Sequence, residues 1–114
     1  MADKRYTKRY PKKIRLKFGC MPLVENGVTE NVSASGLFIK TNKMYTKNTI
    51  IRIEFILPNN IIVKVDGMVI WKREFSSKFI RILKKNGLGI KFTKFYSGEQ
   101  KYKEMIRAMQ AGNI

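Results

Sequence analysis

Apolar and polar residues begin to alternate at Ile14: Ile14, Leu16 and Phe18 fall on one side of an extended chain, Arg15 and Lys17 on the other. A period of two marks a half-buried strand. The same pattern returns in the short apolar stretch GLFIKT and in IIRIEFIL, which sets Ile51, Ile53, Phe55 and Leu57 against Arg52 and Glu54. In the longer IIVKVDGMVIW, Val63, Val65, Val69 and Trp71 share parity, and Gly67 predicts a bulge or bend of the kind that closes barrels. Pro58, Asn59 and Asn60 turn the chain, while Asn26-Gly27 and Asn86-Gly87 have the composition of type I′ hairpin turns. FSSKFIRILKKN fits a helical face as well as a strand, and its type stays open.

Two ends differ from this middle. Residues 1–13 hold Lys4, Arg5, Lys8, Arg9, Lys12 and Lys13 with little aliphatic content, and Pro11 opposes regular structure nearby, so they read as a basic arm. Towards the C-terminus, Ser97 with Gln100 three residues on has the form of a capping box, and Tyr102, Met105, Ile106 and Met109 follow helical spacing. An amphipathic helix is expected over 96–112, ending near Gly112, its stripe serving the core or an oligomer contact. The predicted architecture is mainly β: a six-stranded antiparallel barrel over 14–95 between the arm and the helix, all one domain.

Composition narrows the chemistry. A chain of 114 residues carries 24 Lys and Arg against 8 Asp and Glu, a formal net charge of +16 that favours phosphate-bearing partners, acidic membranes or acidic proteins. With no His and one Cys, the usual transition-metal sites and Cys/His or Ser/His pairs are missing, so neither enzyme chemistry nor a bound cofactor is expected. A lone cysteine makes no internal disulfide, and no apolar run reaches the length of a signal core or membrane span; a cytoplasmic protein is expected. Cys20 reads as a small buried hydrophobe.

The segment NVSASG, residues 31–36, has two readings. It has the composition of an ordinary Asx or Ser turn between strands. Alternatively, on an extended backbone the Asn31 amide and Ser33 hydroxyl face the same way and suit a heterocycle edge or sugar, with Gly36 allowing positive φ or the close approach of a ligand. In the arm, RYTKR spaces Arg5 and Arg9 four apart, each a planar fork able to chelate phosphate or the O6/N7 edge of guanine, although a solvated basic arm would look the same.

Taken in order, Arg5-Tyr-Thr-Lys-Arg9 and Asn31-Val-Ser33-Ala-Ser-Gly36 resemble the RxxxR and (D/N)xSxxG motifs of the PilZ domain family, bacterial receptors for cyclic di-GMP. LFIKT, DGMVIW and GLGIKF extend the likeness from residue 5 to about 95. The resemblance implies an arm that folds over one barrel face and holds cyclic di-GMP there. Arg5 and Arg9 would grip guanine edges and phosphates, Asn31 and Ser33 would bond a guanine, and Gly36 would keep the turn. Trp71 falls where some relatives place a ligand-contacting aromatic, whereas its parity assigns it to the core. Asn31 stands where Asp is common, replacing a charge-assisted acceptor by a neutral one. A second arm register, pairing Arg9 with Lys13, remains open.

The expected function is a cyclic di-GMP receptor or adaptor that changes its arm and surface to regulate a protein partner in motility, polysaccharide or biofilm control. The competing readings are a PilZ-like interaction module without nucleotide binding and a general nucleic-acid binder. The last explains the charge but not the paired motifs, which argues against nucleic acid as the ligand. Monomer and homodimer are both compatible with the chain.

Overall fold

A computed structural model describes residues 8–74 and 86–112. The strands are β1 (Tyr10–Pro11), β2 (Arg15–Gly19), β3 (Glu25–Val32), β4 (Gly36–Lys40), β5 (Ile50–Leu57), β6 (Ile61–Arg73) and β7 (Gly87–Ser97), followed by the helix α1 (Glu99–Gln110). The sheet runs β1-β3-β2-β5-β6-β7-β4, all neighbours antiparallel, and a further β3–β4 pairing closes six of the strands into a barrel with β1 outside it on β3. The expected six-stranded barrel and C-terminal helix are therefore what the chain forms.

The alternating positions fill the barrel as their parity predicts. Leu16, Phe18, Ile51, Ile53, Phe55, Val63, Val65 and Val69 are all buried in one cluster, closed from below by Tyr102 and Ile106 of α1. Gly67 lies at a register shift between β6 and β7, where a Cβ would come within 2.3 Å of Ile90 Cγ2, so the bend predicted there is real. Pro58–Asn60 make a one-turn 3-10 segment joining β5 to β6, with Asn59 and Asn60 at positive φ.

Several local expectations fail, those for turns and caps because a longer-range contact overrides them. Asn26-Gly27 is no turn: it lies inside β3 opposite Lys17 and Leu16, and Gly27 makes room for Ile39 and Phe18. Gly87 opens β7 paired with both Arg73 and Lys40, so Asn86-Gly87 is not a two-residue turn either. The intervening segment of undecided type, apart from Asn86, lies outside the described residues. Ser97 donates to Ile62 O instead of capping α1, whose N-cap is Gly98 at φ 79° with no side-chain cap bond. Cys20 is exposed, its thiol directed at Ile50 O over 3.7 Å. Pro11 forms part of the two-residue edge strand β1, a position where a missing N–H is tolerated.

Between β1 and β2 the chain is fastened to β3 by Thr29. Its buried hydroxyl donates to Lys12 O and accepts from the backbone N–H of Ile14 at 2.8 Å, while its own N–H donates to Ile14 O. Thr29→Val keeps the shape but leaves the Ile14 N–H buried without its acceptor, so stability should fall by about 1–3 kcal/mol. Urea unfolding of the two proteins measures this, and an unchanged midpoint would contradict it.

Candidate functional site

The last residue of the arm motif meets the barrel motif at one corner of the barrel. β1 pairs Pro11 with Asn31 and Tyr10 with Val32, which brings the end of the arm against the last residues of β3. There Arg9 Nη1 donates to Asn31 Oδ1 at 3.0 Å. Arg5 lies outside the described residues, and with it the Arg5/Arg9 register of the arm.

Beyond Val32, which is fully buried, the strand ends in a tight turn. Ser33 N–H donates to Gly36 O at 2.8 Å, and the Ser33 hydroxyl, itself buried, accepts from the N–H of Gly36 at 3.1 Å and of Ser35 at 3.3 Å. That hydroxyl also lies 3.2 Å from Gly36 O. The Ser turn considered for this segment is thus present, and Ser33 shapes it from within; its side chain does not continue the face that Asn31 presents. Gly36 is required by close approach and not by positive φ, since a Cβ there would lie 2.0 Å from Ile90 O on β7.

Tyr102 supports the turn from beneath. Its hydroxyl donates to Ser33 O at 2.7 Å, and its ring packs edge-on against Phe55 and Phe92. Burial pushes the phenol's pKa well up, because a phenolate there would lose its hydration. The unfolded phenol titrates near 10.0, so above that pH the unfolded chain has lost a proton that the folded one keeps. Stability is therefore fully present below pH 10.0 and falls above it, by about 1.4 kcal/mol per pH unit from this group. Tyr102→Phe should remove that slope and reduce stability by about 1 kcal/mol at neutral pH. Denaturant titrations from pH 8 to 11 compare the two proteins, and parallel profiles would refute the assignment.

From the corner a row of laterally paired positions crosses the barrel wall, its middle member Phe38 only 1% exposed beneath Trp71 and Arg73. Asn31 on β3 pairs with Phe38 on β4, Phe38 with Gly89 on β7, and Gly89 with Trp71 on β6. At about 4.8 Å per strand the row spans about 14 Å from Asn31 to Trp71. The two rings stack across Gly89, 5.0 Å between centroids and 30° between planes, and a Cβ on Gly89 would strike the indole at 2.1 Å. Arg73 lies over the outer Phe38 ring at 4.6 Å and forms a bidentate pair with Glu30, the residue extruded by the bulge between Thr29 and Asn31.

Trp71 is 41% exposed, which corrects its placement in the core. A second register shift, between Val69 and Trp71, adds one residue to β6 and turns Trp71 out of the parity it shares with the valines. Phe38, Glu30 and Arg73 were not legible as site neighbours. The usable signal was the GLG spacing: Gly87 and Gly89 lie on one face of a strand and leave a trough that Phe38 and Trp71 fill.

The family model of the PilZ domain matches residues 3–110, nearly the whole chain. The chain belongs to the PilZ domain family. PilZ domains are cyclic di-GMP receptors and adaptors, ligand-binding modules and not enzymes. Two solved structures share the PilZ fold with this one. One is the inhibitor of motility MotI/DgrA of Bacillus subtilis, with TM-score 0.75 and 12% identity over 97% of this chain. This chain spans about half, 53%, of that longer protein. The other is the PilZ domain of CeSA from a cellulose-synthesizing bacterium, with TM-score 0.62 and 17% identity over 91% of this chain and 99% of that one. No curated protein matches the chain. Among the described residues no helix of this PilZ domain is long and apolar enough to cross a membrane.

Proposed function

We propose that the protein is a receptor for cyclic di-GMP that signals by docking its basic arm over the Asn31 corner and so changing the surface it shows to a protein partner. The observation that carries this reading is the Arg9–Asn31 hydrogen bond, which joins the arm motif to the barrel motif at one place. Arg9 supplies a fork for phosphate or guanine beside an amide that both donates and accepts, and the exposed Trp71 ring lies across the wall about 14 Å away, by three strand spacings. A cyclic molecule with two purines and two phosphates would have polar contacts at the corner and a stacking face at Trp71. Ser33 and Gly36 serve it by fixing the turn, with Arg5 as the second fork of the arm. The output would be control of motility, polysaccharide or biofilm through a partner, with no catalytic step in the domain.

Calorimetric titration with cyclic di-GMP, GTP and a short oligonucleotide at low and high salt tests this. A receptor prefers the cyclic dinucleotide at both salt concentrations, whereas a phosphate tracker prefers the oligonucleotide and weakens steeply with salt. A folded protein that binds none of the three would leave an interaction module without a nucleotide. Asn31→Asp is informative in addition. It turns the Arg9 contact into an exposed ion pair worth at most about 1 kcal/mol in the free protein, but offers guanine N–H donors a charge-assisted acceptor of roughly twice the strength. Affinity for cyclic di-GMP should rise a few-fold; a loss would remove guanine from this position.

A further inference from the structure

The barrel carries a concavity away from the Asn31 corner. β2 and β5 pair from Gly19–Arg52 only as far as Leu16–Phe55. Beyond that pair the chain of residues 12–14 bends away to follow β3, held there by Thr29, while β5 continues through Ile56 and Leu57 against β6. The splay opens a groove of about 770 Å³ that reaches Met105 of α1 and includes none of the residues of the Asn31 corner. This is the size of a ligand cleft, far more than a packing defect.

Its surface has two features at once. Ile56 and Ile62, directly opposite each other on β5 and β6, are 64% and 50% exposed, an apolar pair left in water beside the apolar floor. Around them the charged lining is cationic, with Lys12, Lys13, Arg15, Lys17 and Lys64 against Glu54 alone. A second copy of a chain with net charge +16 is repelled from such a rim. A flat lipid surface could take the two exposed isoleucines and the cations but would leave the concavity of about 770 Å³ beside them unfilled. An extended or helical protein segment carrying apolar side chains between Asp or Glu residues satisfies both features.

We infer that this groove is the docking site for an acidic, apolar segment of the partner protein. The groove rests on the receptor reading only in taking its occupant to be a segment of the receptor's partner, because Thr29 already holds the chain that sets Lys12 and Lys13 on the groove's rim. Docking itself depends on Ile56, Ile62 and the lysines.

The test uses the full chain with labelled Ile and Met methyl groups and a short peptide alternating Leu and Glu, titrated with and without cyclic di-GMP, while calorimetry follows the nucleotide separately. Shifts should concentrate on Ile56, Ile62 and Met105. Binding should weaken about tenfold in Lys13→Glu/Lys64→Glu and in Ile62→Ser, surface changes that leave the core intact. The same peptide with Lys for Glu, or Ser for Leu, should not bind. Shifts that are absent or spread over the whole basic surface, equal binding of the Ser peptide, or tighter binding to phosphatidylglycerol vesicles would each overturn the groove assignment. Nucleotide binding without peptide docking defeats the groove alone. Peptide docking without nucleotide binding upholds the groove and defeats the receptor reading alone.

Discussion

Gly36→Ala is expected to remove much of the protein's margin of stability, lowering it by about 3 kcal/mol or more. The added methyl would sit 2.0 Å from Ile90 O and 3.1 Å from Ile90 C, which are backbone atoms in the neighbouring strand β7 and cannot swing aside. Relief requires β4 to move away from β7 at the Gly36–Lys91 pair, the first rung of a five-pair ladder that helps close the barrel. The Ser33 turn would move with it, because Gly36 both donates to the Ser33 hydroxyl and accepts from the Ser33 N–H. For a domain of this size the melting temperature should fall by roughly 10–20 °C, against no measurable change for Ser35→Ala at an exposed position of the same turn. Calorimetric melting decides it, and a Gly36→Ala protein as stable as the parent would mean that β4 and β7 are not in register as described. Any loss of ligand binding in this variant has its origin in the barrel wall and not in a contact between Gly36 and the ligand.

Arg9→Ala should behave in the opposite way. Arg9 is exposed and its hydrogen bond to Asn31 lies at the surface, so stability should stay within about 0.5 kcal/mol of the parent. If the arm and corner hold cyclic di-GMP together, removing the fork removes a charge-assisted contact worth about 2–3 kcal/mol, and affinity should drop about 30-fold or more. Arg9→Lys should recover little of it, because a single ammonium cannot make the two-point contact. Calorimetry measures affinity and a melting curve confirms the fold. Parental affinity in both variants would remove Arg9 from the site and leave the corner contact with Asn31 as a structural bond.

The roles proposed for these two residues differ in how far each could be read along the chain. Arg9 and Asn31 were legible because their chemistry is carried by the side chain itself. Ser33 was legible only as a residue type: extended geometry would have aimed it alongside Asn31, but the strand ends at Val32 and the hydroxyl turns inward to hold the N–H groups of Ser35 and Gly36. The sequence allows Gly36 either positive φ or close approach, and only the position of β7 distinguishes between them. Trp71 was misplaced because parity assumes an uninterrupted strand, and one extra residue after Val69 reverses the face.

From sequence alone came the barrel's inner face, the amphipathic helix, the turn at Pro58–Asn60, the bend at Gly67 and the excess positive charge. All of these follow from the order of neighbouring residues, because a period of two or of 3.6 is a local property of the backbone. The tertiary structure alone decided that Asn26-Gly27 continues a strand, that Gly98 and not Ser97 begins the helix, and that Arg9 reaches Asn31. These depend on which strands become neighbours when the sheet closes, and local preferences of about a kcal/mol or less yield to the burial and backbone pairing gained by closing it.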